Sequence, residues 1–191
     1  MKNWIKHSFF IILGLLGFHA PNALAQVDMA LCIAGQAGNP TNTKSDTGCI
    51  DVLAWSWGEE NNMIFDGPSP PVSNVGFQEI SITKYQDPNT VYLMKMVAEG
   101  TPMAAMELRV RNNCADKGCP TQPIFQLKIP AGSYATKFNT GGNDGESKLT
   151  ENISISVLAM EWCYTELAED NTTVIEEFCA GWDVIKSEEY P

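Results

Sequence analysis

Apolar and polar residues alternate along most of this chain in runs too short for helices, so the pattern predicts strands. Val27 to Ala34 reads as a first strand, followed by a polar loop opening at Gly35, Gly38, Asn39 and Pro40. Ile50 to Trp57 (IDVLAWSW) reads as one strong strand, with Leu53, Trp55 and Trp57 on one face and Val52 and Ala54 on the other. Glu59 to Asn74, holding Pro68, Pro70 and Pro71, reads as a loop. Gly76 to Tyr85 follows as a strand in which Ile80 and Ile82 share a face and Phe77 is out of phase.

The period then changes. Asp87 can cap a helix, Pro88 suits a first helical position and Gly100 can end it. Between them Val91, Leu93, Met94, Met96 and Val97 form the expected apolar stripe. Strands resume at Met106 to Val110, Ile124 to Ile129 and Gly132 to Phe138, and Thr140 to Ser147 is a glycine-rich loop. Leu149 to Tyr164 and Val174 to Ile185 read as a final hairpin. About eight short, mostly antiparallel strands and one helix predict a mainly β domain, a small barrel or sandwich with a helix over one opening or flank.

The first 25 residues stand apart. Lys2 and Lys6 precede the apolar run Phe9 to Phe18, and Ala23-Leu24-Ala25 supplies a small-residue cleavage site. This is the pattern of a secretory signal peptide, so residues 1–25 are expected to be removed and 26–191 to form one domain. The run is about half the ~20 apolar residues that a membrane span needs. Removal of the two lysines makes the formal charge of −11 more negative by two. Such an acidic chain is not expected to bind a nucleic-acid backbone. Removal also takes His7 and His19, the two histidines of the sequence. A chain without histidine runs no Ser-His-Asp or Cys-His mechanism and holds no His-ligated metal.

Six cysteines remain: Cys32, Cys49, Cys114, Cys119, Cys163 and Cys179. An even number behind a signal peptide implies structural disulfides in an oxidising compartment. Cys114 and Cys119 flank a turn-like Ala-Asp-Lys-Gly insert. With Asn171 at the tip of the last hairpin, Cys163 faces Cys179, Tyr164 faces Phe178 and Met160 faces Trp182, so the side chains suit the register. Cys32 and Cys49 are left for each other. No CxxC is present, which removes the usual zinc and thioredoxin-like patterns.

Candidate catalytic groups are weak. Ser81-Ile82-Thr83-Lys84 spells S-x-x-K, but in an alternating strand Ser81 and Lys84 point to opposite faces. Glu59-Glu60, Glu176-Glu177 and Glu188-Glu189 are neighbours whose side chains diverge, unlike the paired carboxylates of a glycosidase. Trp55 and Trp57 share a face and are the candidate interface or ligand-binding residues. No catalytic residue, metal or cofactor is expected.

The order IAGQAGNP, CIDVLAWSWG, VGFQEISITKYQD, a helix, MELRVR, FQLKI and NTGGNDGESKLTENISISVLAMEW resembles the haemolysin-coregulated protein (Hcp) family. These are the tube proteins of bacterial type VI secretion. The resemblance implies an antiparallel β-barrel of about eight strands with one flanking α-helix, built into hexameric rings with a wide channel. It implies copies of itself as partners, with secretion components or small effector proteins besides, and brings no catalytic residue. The signal peptide, the cysteines, the Cys114–Cys119 insert and the long Glu166–Thr173 turn fall outside the family pattern. A periplasmic or secreted location follows from the first two. The alternative expectation is a monomeric binding module of the periplasm, using a barrel mouth or the Trp55/Trp57 face.

Overall fold

The structure is a computed structural model that describes residues 26–36, 48–65, 67, 72–113, 122–145, 147–170 and 172–190. Cys114, Cys119 and the residues before Gln26 lie outside the described residues. The fold is mainly β, with antiparallel strand pairs throughout and one described helix.

Seven strands form the larger sheet. They are β1 (Gln26–Ile33), β2 (Ile50–Val52), β7 (Met106–Asn113), β8 (Phe125–Ile129), β11 (Ala159–Leu167), β12 (Val174–Asp183) and β13 (Glu188–Glu189). Their spatial order is β13-β12-β11-β8-β7-β1-β2. The smaller sheet has the order β3-β6-β10-β9, from β3 (Ala54–Ser56), β6 (Ile80–Tyr85), β10 (Thr150–Ser156) and β9 (Tyr134–Gly141). The two strands β4 (Glu59–Ile64) and β5 (Val72–Phe77) pair only with each other.

Alternation builds the core. Leu31, Leu108 and Leu127 meet in register across β1, β7 and β8, and all are buried. In the smaller sheet Ile82 opposes Ile153 and Ile80 opposes Ile155, each nearly inaccessible. The two apolar faces share one cluster, to which the helix α1 (Thr90–Glu99) adds Leu93. Burying a side chain of this size stabilises the fold by about 1.5–3 kcal/mol relative to leaving it exposed.

Several boundaries differ from the sequence expectation. The predicted strand Ile50–Trp57 breaks at Leu53: β2 pairs with β1 in the larger sheet and β3 with β6 in the smaller. Leu53 sits at the crossing, exposed, with its N–H bound to Thr83 O at 2.8 Å. Leu53 is exposed, whereas Trp55 and Trp57 are half-buried against the core. Leu149–Tyr164 likewise divides into β10 and β11, one in each sheet. Gly76–Tyr85 divides at Gln78 and Glu79, which accounts for the phase slip at Phe77. The predicted loop Glu59–Asn74 is instead largely the β4–β5 arm, exposed along all of β4. Backbone hydrogen bonds hold such a ribbon, and polar side chains do not oppose them.

The helix starts later than expected. Asn89 is the N-cap, while Asp87 Oδ1 accepts the Asn89 N–H at 2.7 Å and Asp87 O accepts the Thr90 N–H. Gly100, at φ 61°, ends the helix by donating to Met96 O, a left-handed geometry that glycine adopts without penalty. Leu93 with Met96 and Val97 faces inward at helical spacing, whereas Val91 and Met94 are exposed rather than part of the stripe.

Candidate functional site

A buried ion network sits where the smaller sheet meets the helix. Lys84 ends the inward phase of β6 after Ile80 and Ile82, and register sets it against Glu151 of β10. Lys84 Nζ lies 2.7 Å from Glu151 Oε1 and 2.9 Å from Asp87 Oδ1, and donates to Tyr85 O at 3.0 Å. Thr90 Oγ1, in the first helical turn, donates to Glu151 Oε2 at 2.9 Å. The buried ammonium thus has two carboxylates beside it and one hydrogen bond to a backbone carbonyl, so its charge is paired although Glu151 Oε1 accepts no well-aligned hydrogen bond. The group ties β6, β10 and α1 together, and the side chains of Lys84 and Glu151 are inaccessible. Sequence reasoning missed it, although the inward phase of both strands placed Lys84 and Glu151 on the core side. Ser81 points the other way, where its Oγ accepts from Asn152 Nδ2 at 3.0 Å. The S-x-x-K tetrapeptide is thus divided between two faces and forms no site.

Two disulfides are described. Cys32–Cys49 fastens β1 to the residue before β2, and Cys163–Cys179 joins directly opposed residues of β11 and β12, with Cα atoms 4.2 Å apart. The hairpin register is the one expected from Asn171 at the tip: Cys163–Cys179, Tyr164–Phe178 and Met160–Trp182. Cys163 is inaccessible, and Lys128 Nζ approaches its Sγ at 3.4 Å. Glu161 lies close to both sulfurs, but these are bonded to each other and offer no thiolate to a metal.

The two candidate tryptophans lie between the sheets. Trp55 stacks on Phe125 of β8, centroids 5.6 Å apart and planes 12° from parallel. Trp57 packs on Phe77 of the arm at 6.4 Å and on Trp162 of β11 at 5.9 Å. Both are half-buried against the core. Beyond them the arm and the β11–β12 hairpin enclose a groove of about 430 Å³, lined by Glu59, Glu60, Phe77, Trp162 and Trp182 among others. Sequence reasoning did not connect Trp162 and Trp182 with Trp57, because three separate elements carry them.

Projecting hairpins and open strand edges dominate the remaining surface. Met63, Ile64 and Phe65 are exposed on the arm, Phe65 at 77%. Tyr164, Val174, Ile175 and Phe178 are exposed on the other hairpin. β12 meets β13 only at Trp182 and Asp183, which leaves Val174 to Ala180 without a neighbour on that side among the described residues. The adjacent glutamate pairs Glu176-Glu177 and Glu188-Glu189 are exposed. At the hairpin turn, the backbone N–H groups of Thr173 and Thr172 and the Thr173 hydroxyl hold the Asp170 carboxyl far below its ordinary range. No described helix is long and apolar enough to cross a membrane.

Antiparallel sheets, one flanking helix and open strand edges define a mainly β scaffold whose free surface lies in edges and arms. Known proteins carry the same plan. The sequence profile described as "Type VI secretion system effector, Hcp" matches residues 31–164. The chain is 28% identical over 159 residues to Protein hcp1 of Pseudomonas aeruginosa, covering 83% of this chain and 95% of that protein. Among solved structures, one titled as a type six secretion system protein superposes with a TM-score of 0.74 at 16% identity, covering 86% of this chain and all of the other. Hcp1 of Salmonella typhimurium matches with a TM-score of 0.64 at 19% identity, over 86% of this chain and 99% of that one. The chain belongs to the Hcp family of type VI secretion proteins.

Proposed function

We propose that this chain is an exported, disulfide-stabilised Hcp protein whose copies assemble into six-membered rings of the kind that form the type VI secretion tube. In this reading residues 1–25 are a signal peptide, residues 26–191 are a single domain, and the mature protein works outside the cytosol without a catalytic residue. The observation that carries it is the pair of outer edges of the seven-stranded sheet, with the short β13 against β12 on one side and β2 on the other. Among the described residues β12 has no strand beside it from Val174 to Ala180, so its N–H and C=O groups there can accept a partner. Two different edges on one subunit suit a head-to-tail interface, which closes into a ring when the rotation between subunits allows it. Family membership supports six as the number. The exposed apolar residues of the two hairpins add contact surface, and the Trp55/Trp57 cluster stiffens the joint between the arm and the sheets. Secretion components and small effector proteins carried in the channel are the further partners of this reading.

The alternative, a monomeric periplasmic binding module, is less favoured because the family profile spans both sheets. Negative-stain images of the oxidised protein test the choice: rings are expected, and solitary particles at all concentrations would refute them. Intact mass under non-reducing conditions tests export. Loss of residues 1–25 and of six thiol hydrogens is expected; a full-length chain with free thiols would contradict it.

A further inference from the structure

The groove between the β4–β5 arm and the β11–β12 hairpin has a chemistry that ring assembly does not require. Phe77, Trp162 and Trp182 are half-buried in its wall, so part of each ring is open to the groove and part is fixed by packing. Trp57 backs this wall, stacked on Phe77 and in contact with Trp162. Gly181 lets the chain end close beside Trp182: a Cβ there would stand 2.9 Å from Tyr190 O. The aromatic side chains are therefore anchored, not loosely hung on the surface.

Glu59 and Glu60 stand on the same groove, and both are exposed. Neither carboxylate has a basic partner among the described residues; the single polar contact described for them is Asn62 Nδ2 donating to Glu60 Oε1 at 3.4 Å. Elsewhere several described lysines pair with acids, as in Lys84–Glu151, Lys128–Glu161 and Lys186–Asp183. The groove thus combines aromatic faces, which carry negative quadrupoles, with two uncompensated negative charges. A cation with an apolar shell meets both requirements. A metal ion or a bare ammonium is strongly hydrated and gains little from Val75 and Phe77. An anion is repelled.

We propose that this groove is a binding site for a trimethylammonium group, held against Trp162, Trp182 and Phe77 and neutralised by Glu59 and Glu60. Its lining residues all belong to one subunit. Two sources carry that chemistry, a small solute such as choline and a trimethylated lysine on a protein chain.

Saturation-transfer NMR on the N-methyl protons tests it, with choline and Nα-acetyl-trimethyllysine amide as ligands and 3,3-dimethylbutan-1-ol as the uncharged isostere of choline. At least one of the cations is expected to bind ~5-fold or more tightly than the alcohol. The tighter of the two cations identifies the source, and either supports the site. Trp182→Leu is expected to abolish the preference for the cation. The double variant Glu59→Gln, Glu60→Gln, at exposed positions that leave the fold intact, is expected to cut it several-fold. Equal binding of cation and alcohol, no binding of either cation, or an unchanged preference in the Gln variant would each overturn the proposal.

Discussion

The β4–β5 arm and the β11–β12 hairpin both project from the sheets, yet different forces hold them. β4 is exposed at every position, and the arm pairs with no other strand among the described residues. It depends on its own ladder and on Phe77 packing against Trp57 at its root. An isolated two-stranded ribbon is marginal in water. β12 is exposed from Val174 to Ala180 as well, but β11 beside it is anchored by pairing with β8. Inaccessible Cys163 then reaches across to exposed Cys179. A covalent bond takes the place of a buried face on the outer strand and fixes its register. The contrast teaches that exposure along a strand says little about its rigidity until its cross-strand bonds are known.

The sharpest break with both hairpins is in the body. Glu151→Ala leaves Lys84 inaccessible with only Asp87 as a counter-charge, and is expected to cost about 3 kcal/mol in urea unfolding. Glu60→Ala on the arm should cost under ~0.5 kcal/mol. The double variant Lys84→Met, Glu151→Leu should recover part of the loss, because the fully buried charges are gone and Asp87 keeps the hydrogen bond from Asn89 N–H. A Glu151→Ala protein as stable as the parent would remove the network from the account.

Cys163→Ser with Cys179→Ser is expected to cost about 2–3 kcal/mol. More tellingly, amide hydrogen exchange should accelerate from Val174 to Ala180 and stay unchanged in β4 and β5. Equal acceleration in both hairpins would mean that the disulfide stabilises the whole fold and not the local register.

The smallest effect concerns the turn that closes the stapled hairpin, where Ala168 N–H also binds Thr173 O at 2.9 Å. The folded Asp170 carboxyl sits below its unfolded value, so its contribution is complete above the unfolded pKa of about 4 and fades as pH falls below that. Protection of the Thr172 and Thr173 amides, relative to their intrinsic exchange rates, should therefore fall between about pH 4 and pH 2. Asp170→Ala should lower that protection at neutral pH and abolish the acid response, and an acid response that survives the substitution would assign it to another group.

Much of this architecture was legible because strand alternation and burial coincide. Ile80 and Ile82 predicted their face, and the hairpin register followed from Cys163, Cys179 and a turn at Asn171. The crossings at Leu53 and at Val157-Leu158 were not legible. An apolar run that leaves one sheet for another stays apolar, so local pattern carries no mark of the switch. The arm was missed because Glu59 to Asn62 offer no apolar face, and the ladder that pairs them is backbone chemistry. The Lys84–Glu151 pair could have been found by following each strand's phase to its end. The aromatic groove could not, since Trp57, Phe77, Trp162 and Trp182 converge only in three dimensions.

Self-assembly is the claim on which the rest depends, and sedimentation velocity of the oxidised protein at low and high salt tests it most directly. A mature subunit, two charges more negative than the −11 of the full sequence, repels its copies, and screening relieves that repulsion over about 10 Å at 0.1 M ionic strength. The account predicts a species of six times the subunit mass that gains population as salt rises. Monomers alone at both salt concentrations would contradict it.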